Sequence, residues 1–153
     1  MNGGPKMKTL RNKVQLKKFG WDQDVEIVDL EITDVRAENI RIYLIGRSFI
    51  EVTGSAKVFL FDESIGFFSG KVQVYLNNKA KGFFRENSEG ILNGNSRGYF
   101  FDNSRGTVGG KASAYFFGNS KGELFEEAKG KFFDSAYGTF HENSKAEFYG
   151  KLE

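Results

Sequence analysis

The sequence lacks cysteine and contains one proline and one histidine among its 153 residues. The absence of cysteine excludes disulfides, thiol nucleophiles and thiolate metal sites. A single histidine, His141, cannot form a His-rich metal centre, so we expect no metal and no cofactor, and we place His141 on the surface. No apolar run reaches the length of a membrane span or of a signal-peptide core, and we expect neither segment.

Catalytic signatures are also missing from the sequence. It contains no glycine-rich phosphate loop, no Gly-x-Ser-x-Gly elbow and no His-Glu-x-x-His motif. Carboxylates are numerous, but the eight-residue repeat described below predicts a thin fold, in which we expect no cleft where burial would shift their pKa values. We therefore expect that the protein is not an enzyme.

Glycine and phenylalanine are abundant, at 19 and 17 residues, and charge is distributed unevenly. Residues 1 to 20 carry six basic residues and no acid, whereas residues 21 to 38 carry seven acids and one arginine. A basic segment followed by an acidic one favours a mobile or self-paired N-terminal arm. The net charge of +2 provides no strong steering field, so we do not expect nucleic acid as a partner.

An eight-residue repeat runs from Ser64 to the end of the chain. If Ser64 is position one, the first position is small, the third is usually glycine, and the fifth is Phe, Leu or Val. Because side chains alternate along a strand, positions one, three and five share the inward face, and positions two and four face outward. Positions seven and eight carry Gly, Asp, Glu and Asn, which are typical of turns. The third-position glycines are Gly66, Gly82, Gly90, Gly98, Gly106, Gly122, Gly130 and Gly138.

A second period of sixteen residues lies on top of the first. At the fifth position, every second octad has phenylalanine, whereas the octads between them have mostly leucine. The sequence therefore predicts an all-β fold, a two-sided β-solenoid (β-roll) of about seven 16-residue coils of two octads each, with an N-terminal cap. In such a thin core, each phenyl ring would fill the space that the glycines leave open. The phenylalanines of this column are Phe68, Phe84, Phe100, Phe116, Phe132 and Phe148.

The octad phase extends back to Ile40 and divides the chain into three segments. We predict a basic N-terminal arm over residues 1–19, cap strands over residues 20–39 and the octad solenoid over residues 40–153. Residues 20–39 keep the alternation of apolar residues but lose the eight-residue phase. Solenoids need capped ends, which assigns these residues to a cap.

The run from Asn95 to Gly106, Asn-Ser-Arg-Gly-Tyr-Phe-Phe-Asp-Asn-Ser-Arg-Gly, resembles the octapeptide-repeat β-solenoid proteins that bacteriophages and some bacterial surface proteins contain. The resemblance covers residues 64 to 149. It implies a structural or attachment role in a virion or on a cell surface, and it carries over no functional residues.

Aromatic and basic residues occupy the outward positions of every second octad. Stacked sixteen residues apart, they would form parallel columns on one sheet, and an exposed aromatic patch is typical of an interaction surface. Asn87, Asn103 and Asn119 would form an amide ladder at one corner. The candidate binding residues are Phe67, Phe83, Tyr99 and Tyr115 at position four, Phe101, Phe117, Phe133 and Tyr149 at position six, and Lys81 and Arg97 at position two.

These columns predict a non-catalytic structural and attachment protein that presents its aromatic and basic stripes to a protein partner or a glycan. The alternative is a self-assembling scaffold that dimerises or polymerises through its last coil, where no capping segment is evident. We expect the partner to be a second copy of the chain, in a homo-oligomer, or another virion or surface protein, with a glycan as a further possibility.

Overall fold

The computed structural model describes residues 7–150, which form seventeen strands and one short helix. In chain order these are β1 (Lys8–Leu10), α1 (Lys13–Lys18), β2 (Val25–Val28), β3 (Glu31–Ala37), β4 (Arg41–Ile45), β5 (Phe49–Gly54), β6 (Lys57–Leu60), β7 (Ile65–Phe68), β8 (Gln73–Leu76), β9 (Lys81–Phe84), β10 (Glu89–Leu92), β11 (Arg97–Phe100), β12 (Arg105–Val108), β13 (Ser113–Phe116), β14 (Lys121–Leu124), β15 (Lys129–Phe133), β16 (Tyr137–Phe140) and β17 (Lys145–Tyr149).

The strands form two parallel sheets that face each other across a thin core. Sheet A contains β1 and the even-numbered strands in the order β1-β2-β4-β6-β8-β10-β12-β14-β16, and sheet B contains the odd-numbered strands from β3 to β17. From β4 onward, each strand pairs with the strand sixteen residues later, as Phe84 does with Phe100. The prediction of a two-sided β-solenoid with sixteen-residue coils is confirmed. The solenoid has about nine turns, slightly more than the seven predicted.

The additional turns come from the N-terminal segments. Strands β2 and β3 lie in the same sheets as the later strands, and β1 pairs in parallel with β2. Their offsets are larger, since Val25 lies opposite Ile42, seventeen residues on, and Glu31 lies opposite Phe49, eighteen residues on. The longer coils interrupt the octad phase without interrupting the pairing of the strands. Helix α1 begins after Asn12, whose side chain accepts a hydrogen bond from the N–H of Gln15.

A column of stacked phenyl rings fills the centre of the core. The ring centroids of Phe84 and Phe100 are 4.5 Å apart, and those of Phe116 and Phe132 are 4.6 Å apart, with planes within 7° of parallel. All four side chains are almost completely buried. Opposite them, sheet A contributes aliphatic residues such as Leu92, so the large rings alternate with smaller groups across the core.

The third-position glycines make room for these rings. A Cβ atom on Gly106 would lie 2.5 Å from Cζ of Phe100, and one on Gly98 would lie 2.8 Å from Cε2 of the same ring. The ring of Phe100 therefore sits between a glycine of its own strand and a glycine of the next strand. This arrangement explains why glycine is retained in strands, where it costs about 0.5–1 kcal/mol relative to alanine.

The corners of the solenoid are tight turns with a left-handed residue at position seven. Glu86 and Asp102 adopt φ values of 55° and 57° there, a region that costs a side-chain-bearing residue about 1–2 kcal/mol. Their carboxylates offset this cost, because each accepts a hydrogen bond from the backbone N–H one coil earlier: Gly70 donates to Glu86 over 3.2 Å, and Glu86 donates to Asp102 over 3.1 Å.

The corner hydrogen bonds differ from the predicted asparagine ladder. Asn87, Asn103 and Asn119 are exposed at position eight, and their side chains make no hydrogen bonds with one another. The position-seven carboxylates join the coils instead, because each accepts a hydrogen bond from the backbone N–H at position seven of the preceding coil.

Candidate functional site

The outward face of strands β9, β11, β13 and β15 is composed almost entirely of aromatic and basic residues. Positions two, four and six of the octads that contain these strands hold six aromatic residues, five cations and one serine, and no acid. We call this surface the aromatic-basic face. Its members are Lys81, Phe83, Arg85, Arg97, Tyr99, Phe101, Ser113, Tyr115, Phe117, Lys129, Lys131 and Phe133.

The four predicted position-four residues form one continuous column. Phe67 stacks on Phe83 at 4.5 Å, Phe83 on Tyr99 at 4.8 Å, and Tyr99 on Tyr115 at 5.0 Å, with interplanar angles of 6° to 7°. Phe67, at the N-terminal end of the column, is 39% exposed, and the other three are partly buried.

The four predicted position-six residues form a second column on the same sheet. Phe101 stacks on Phe117 at 5.0 Å, Phe117 on Phe133 at 4.7 Å, and Phe133 on Tyr149 at 5.0 Å. This column is displaced by two coils toward the C-terminal end. The structure therefore brings all eight predicted aromatic residues together on sheet B.

The rings of both columns stand on edge on the sheet. Coplanar rings cannot approach to 4.5–5.0 Å between centroids, so this spacing requires the ring planes to lie face to face along the solenoid axis. Each inner ring consequently uses both faces to contact its neighbours and presents its edge to solvent. A ligand that stacks on ring faces would therefore find only ring edges along the inner part of each column.

Basic side chains cover two of the column ends. The Nζ atom of Lys131 lies 5.8 Å from the ring centroid of Tyr115, and the guanidinium carbon of Arg85 lies 5.8 Å from the centroid of Phe101. Both distances fall within cation–π range. The octad pattern did not indicate these contacts. They depend on the residue that occupies the same octad position one coil beyond the end of each aromatic column.

The two predicted basic residues lie beside the position-four column. Lys81 and Arg97 are register partners in β9 and β11, and both are exposed. Neither forms an ion pair with a residue in the described range 7–150. Their charges are therefore available at the surface.

Sheet A carries a shorter aromatic column. Tyr43, Phe59 and Tyr75 stack at 4.7 and 4.8 Å in its first coils, and the same outward position then holds Ile91 and Thr107. Toward the C-terminal end of sheet A, the ring of His141 stacks on Phe125, and its Nε2 atom lies 3.3 Å from Oε2 of Glu123. A long aromatic surface exists on sheet B and not on sheet A.

Tyr149 and Glu147 interact at the C-terminal end of the position-six column. The hydrogen bond that the Tyr149 hydroxyl donates to Glu147 raises the pKa of Tyr149, and the charge of Glu147 acts in the same direction. Among residues 7–150, no group of three or more His, Cys, Asp or Glu side chains is placed to hold a metal ion. The only helix in that range, α1, is six residues long and cannot cross a membrane.

We compared the chain with known protein families, curated proteins and solved structures. No family model, no curated protein and no solved structure matches this chain.

Proposed function

We propose that the protein is a non-catalytic structural and attachment element that binds an acidic protein partner on its aromatic-basic face. The observation that carries this proposal is the composition of that face: six aromatic and five basic residues without an acid. A virion or a cell surface as its location is a prediction that rests on the octapeptide resemblance.

The dimensions of the face suit the centre of a protein interface. Four strands spaced by about 4.8 Å and five residues of about 3.3 Å each span roughly 300 Å². A stable interface buries about 800 Å² on each partner, so the surrounding coils would supply the rim.

The orientation of the rings favours a protein over a sugar chain or a nucleic acid along this stripe. Both alternatives use aromatic faces for stacking, whereas the faces of Phe83 and Tyr99 are covered by neighbouring rings. The exposed ring edges carry partial positive charge. Together with Arg97 and Lys81, they complement carbonyl and carboxylate oxygens on an acidic protein surface.

The test is an affinity capture from the source organism in which the captured proteins are quantified for matched variants. Tyr99→Ser combined with Arg97→Ser alters the centre of the face, and Tyr75→Ser combined with Arg105→Ser makes the corresponding change on sheet A. We expect one acidic protein to be retained by the wild type and by the sheet A variant and lost from the sheet B variant, and its retention should weaken as salt is raised. Equal capture by both variants, or a bound species that nuclease removes, would contradict the proposal.

A second candidate function, self-assembly, is favoured by the last two strands. Phe148 and Phe140 continue the inward register, yet they are 61% and 39% exposed, whereas Phe132, one coil earlier, is 1% exposed. Pairing with a second copy would bury both rings. Sedimentation velocity over a wide concentration range tests this role: we expect a dimer that Phe148→Lys dissociates, and a monomer at all concentrations would exclude it.

A further inference from the structure

An open groove of about 520 Å³ lies at the N-terminal end of the sheet B surface, beside the aromatic-basic face. Its lining includes Phe67 and Phe83, together with Asp34 and Arg36 of β3. The volume falls within the range of ligand pockets, roughly 300–1,000 Å³. Most of the groove lies outside the aromatic-basic face.

Two local departures from the repeat create the groove. In β3 the register shifts between Ile32 and Val35, and Asp34 in this bulge has a φ of 56°. Bulges change the direction of side chains, and here Asp34 of the bulge lines the groove. At position six, Thr53 and Ser69 stand where later coils have phenylalanine, so the surface is lower there.

The groove gives access to an aromatic ring that is stacked on one face only. Phe83 covers one face of Phe67 at 4.5 Å. On the other side, the register partner of Phe67 is Glu51, and the nearest ring, Phe49, is tilted by 54° at 5.4 Å. Phe67 is 39% exposed, whereas the inner rings of the column are partly buried.

The charged groups that line the groove balance one another. Asp34 and Glu51 contribute two carboxylates, and Arg36 and Arg85 contribute two guanidinium groups, so the lining has no net charge. Neither carboxylate forms an ion pair with any other residue that the structure describes. The Nε atom of Arg36 lies 3.4 Å from Oε1 of Glu38, so its terminal nitrogens are the donors on the groove side, and Arg85 also lies over the ring of Phe101. The groove therefore offers both hydrogen-bond donors and acceptors around one aromatic ring.

We propose that this groove binds a neutral pyranose unit of a glycan. The C–H groups of a sugar ring carry partial positive charge and pack against the negative face of an aromatic ring such as Phe67. The hydroxyl groups both donate and accept, so they can donate to Asp34 and Glu51 and accept from Arg36 and Arg85. A lining with two charges of each sign gives an anionic or cationic ligand no net attraction, whereas a neutral polyhydroxylated ligand can hydrogen-bond to both the carboxylates and the guanidinium groups.

The test uses a panel of immobilised oligosaccharides, neutral and acidic, followed by calorimetric titration of the strongest neutral binder. We expect Phe67→Ala to weaken binding at least about tenfold, equivalent to about 1.4 kcal/mol. Glu51→Gln retains the shape of the groove and should weaken binding several-fold by replacing a charged acceptor with a neutral one.

The controls place the same substitutions outside the groove. Phe59→Ala removes a stacked ring from the outward face of sheet A, and Glu147→Gln changes the carboxylate at the corresponding position of β17. Both should bind as the wild type does. The proposal is overturned if no neutral oligosaccharide binds, if only acidic ones bind, or if Phe67→Ala and Glu51→Gln bind as tightly as their controls. The residues used to test the protein partner, Tyr99 and Arg97, do not line the groove, so each proposal can fail without the other.

Discussion

Replacing Gly106 by valine tests whether the glycines exist to accommodate phenyl rings. A Cβ atom at this position would lie 2.5, 2.7 and 2.9 Å from three ring atoms of Phe100. That ring cannot move along the axis, since Phe84 and Phe116 stack on its two faces at 4.5 and 4.8 Å. We therefore expect a strain near the upper end of the overpacking range, about 3 kcal/mol.

A smaller favourable effect offsets part of this strain. A valine loses less backbone freedom on folding than glycine does, which stabilises the folded protein by about 0.5–1 kcal/mol. The net destabilisation is then about 2 kcal/mol. For a protein of this length it corresponds to a decrease in Tm of about 4–8 °C. Urea unfolding followed by circular dichroism measures it as a lower midpoint with an unchanged m value.

Two further variants separate ring strain from a general effect of valine. Gly150→Val is the matched control, since a Cβ atom there meets nothing within 4 Å, and its stability should change by less than about 0.5 kcal/mol. Phe100→Leu should make room for the valine, so that the double variant with Gly106→Val is more stable than the sum of the single losses predicts. Wild-type stability of Gly106→Val, or strict additivity in the double variant, would refute the reasoning.

Two other predictions concern the corners of the solenoid. Asp102→Ala should destabilise the protein by about 0.5–1.5 kcal/mol, because the N–H of Glu86 loses its acceptor. Asp102→Asn should be nearly neutral, since asparagine keeps a side-chain oxygen and tolerates positive φ. Equal losses of stability for the two variants in urea unfolding would contradict this prediction. Ser104→Ala should lower the free energy of unfolding by about 0.5–1.5 kcal/mol, because the Ser104 hydroxyl donates to the carbonyl of Phe101 over 2.6 Å. Ser120→Ala removes a buried hydroxyl that has no partner, so its effect on stability should be neutral or favourable. Thermal unfolding of the two serine variants measures the difference, and the reverse order would show that the Ser120 hydroxyl is satisfied.

The architecture was largely predictable because one period governs both the inward residues and the pairing of the strands. The sixteen-residue spacing of phenylalanine predicted that Phe84 and Phe100 are neighbours in adjacent coils, and the glycine positions indicated where the rings needed space. Both inferences depend only on the alternation of side chains and on volume, which the sequence specifies directly.

The N-terminal coils could not be predicted from the period. Strands β2 and β3 join the sheets with offsets of seventeen and eighteen residues, so the octad phase is lost although the strands stack. Backbone hydrogen bonds between coils set this stacking, and extra residues are absorbed at bulges and corners. In this protein, coils form where the sequence repeats and also at the N-terminal end, where it does not.

By itself, the sequence determined the two-sheet solenoid, the residues that face its core and the surface on which the aromatic columns lie, because a strand distributes its side chains between two faces with a period of two. The tertiary structure alone decided that the rings stand on edge and cover one another's faces, and that the bulge in β3 brings Asp34 into the lining of the groove that also contains Phe67 and Phe83. These features depend on the distance between successive coils and on a local shift in register, and neither is encoded in the identity or spacing of the residues that take part.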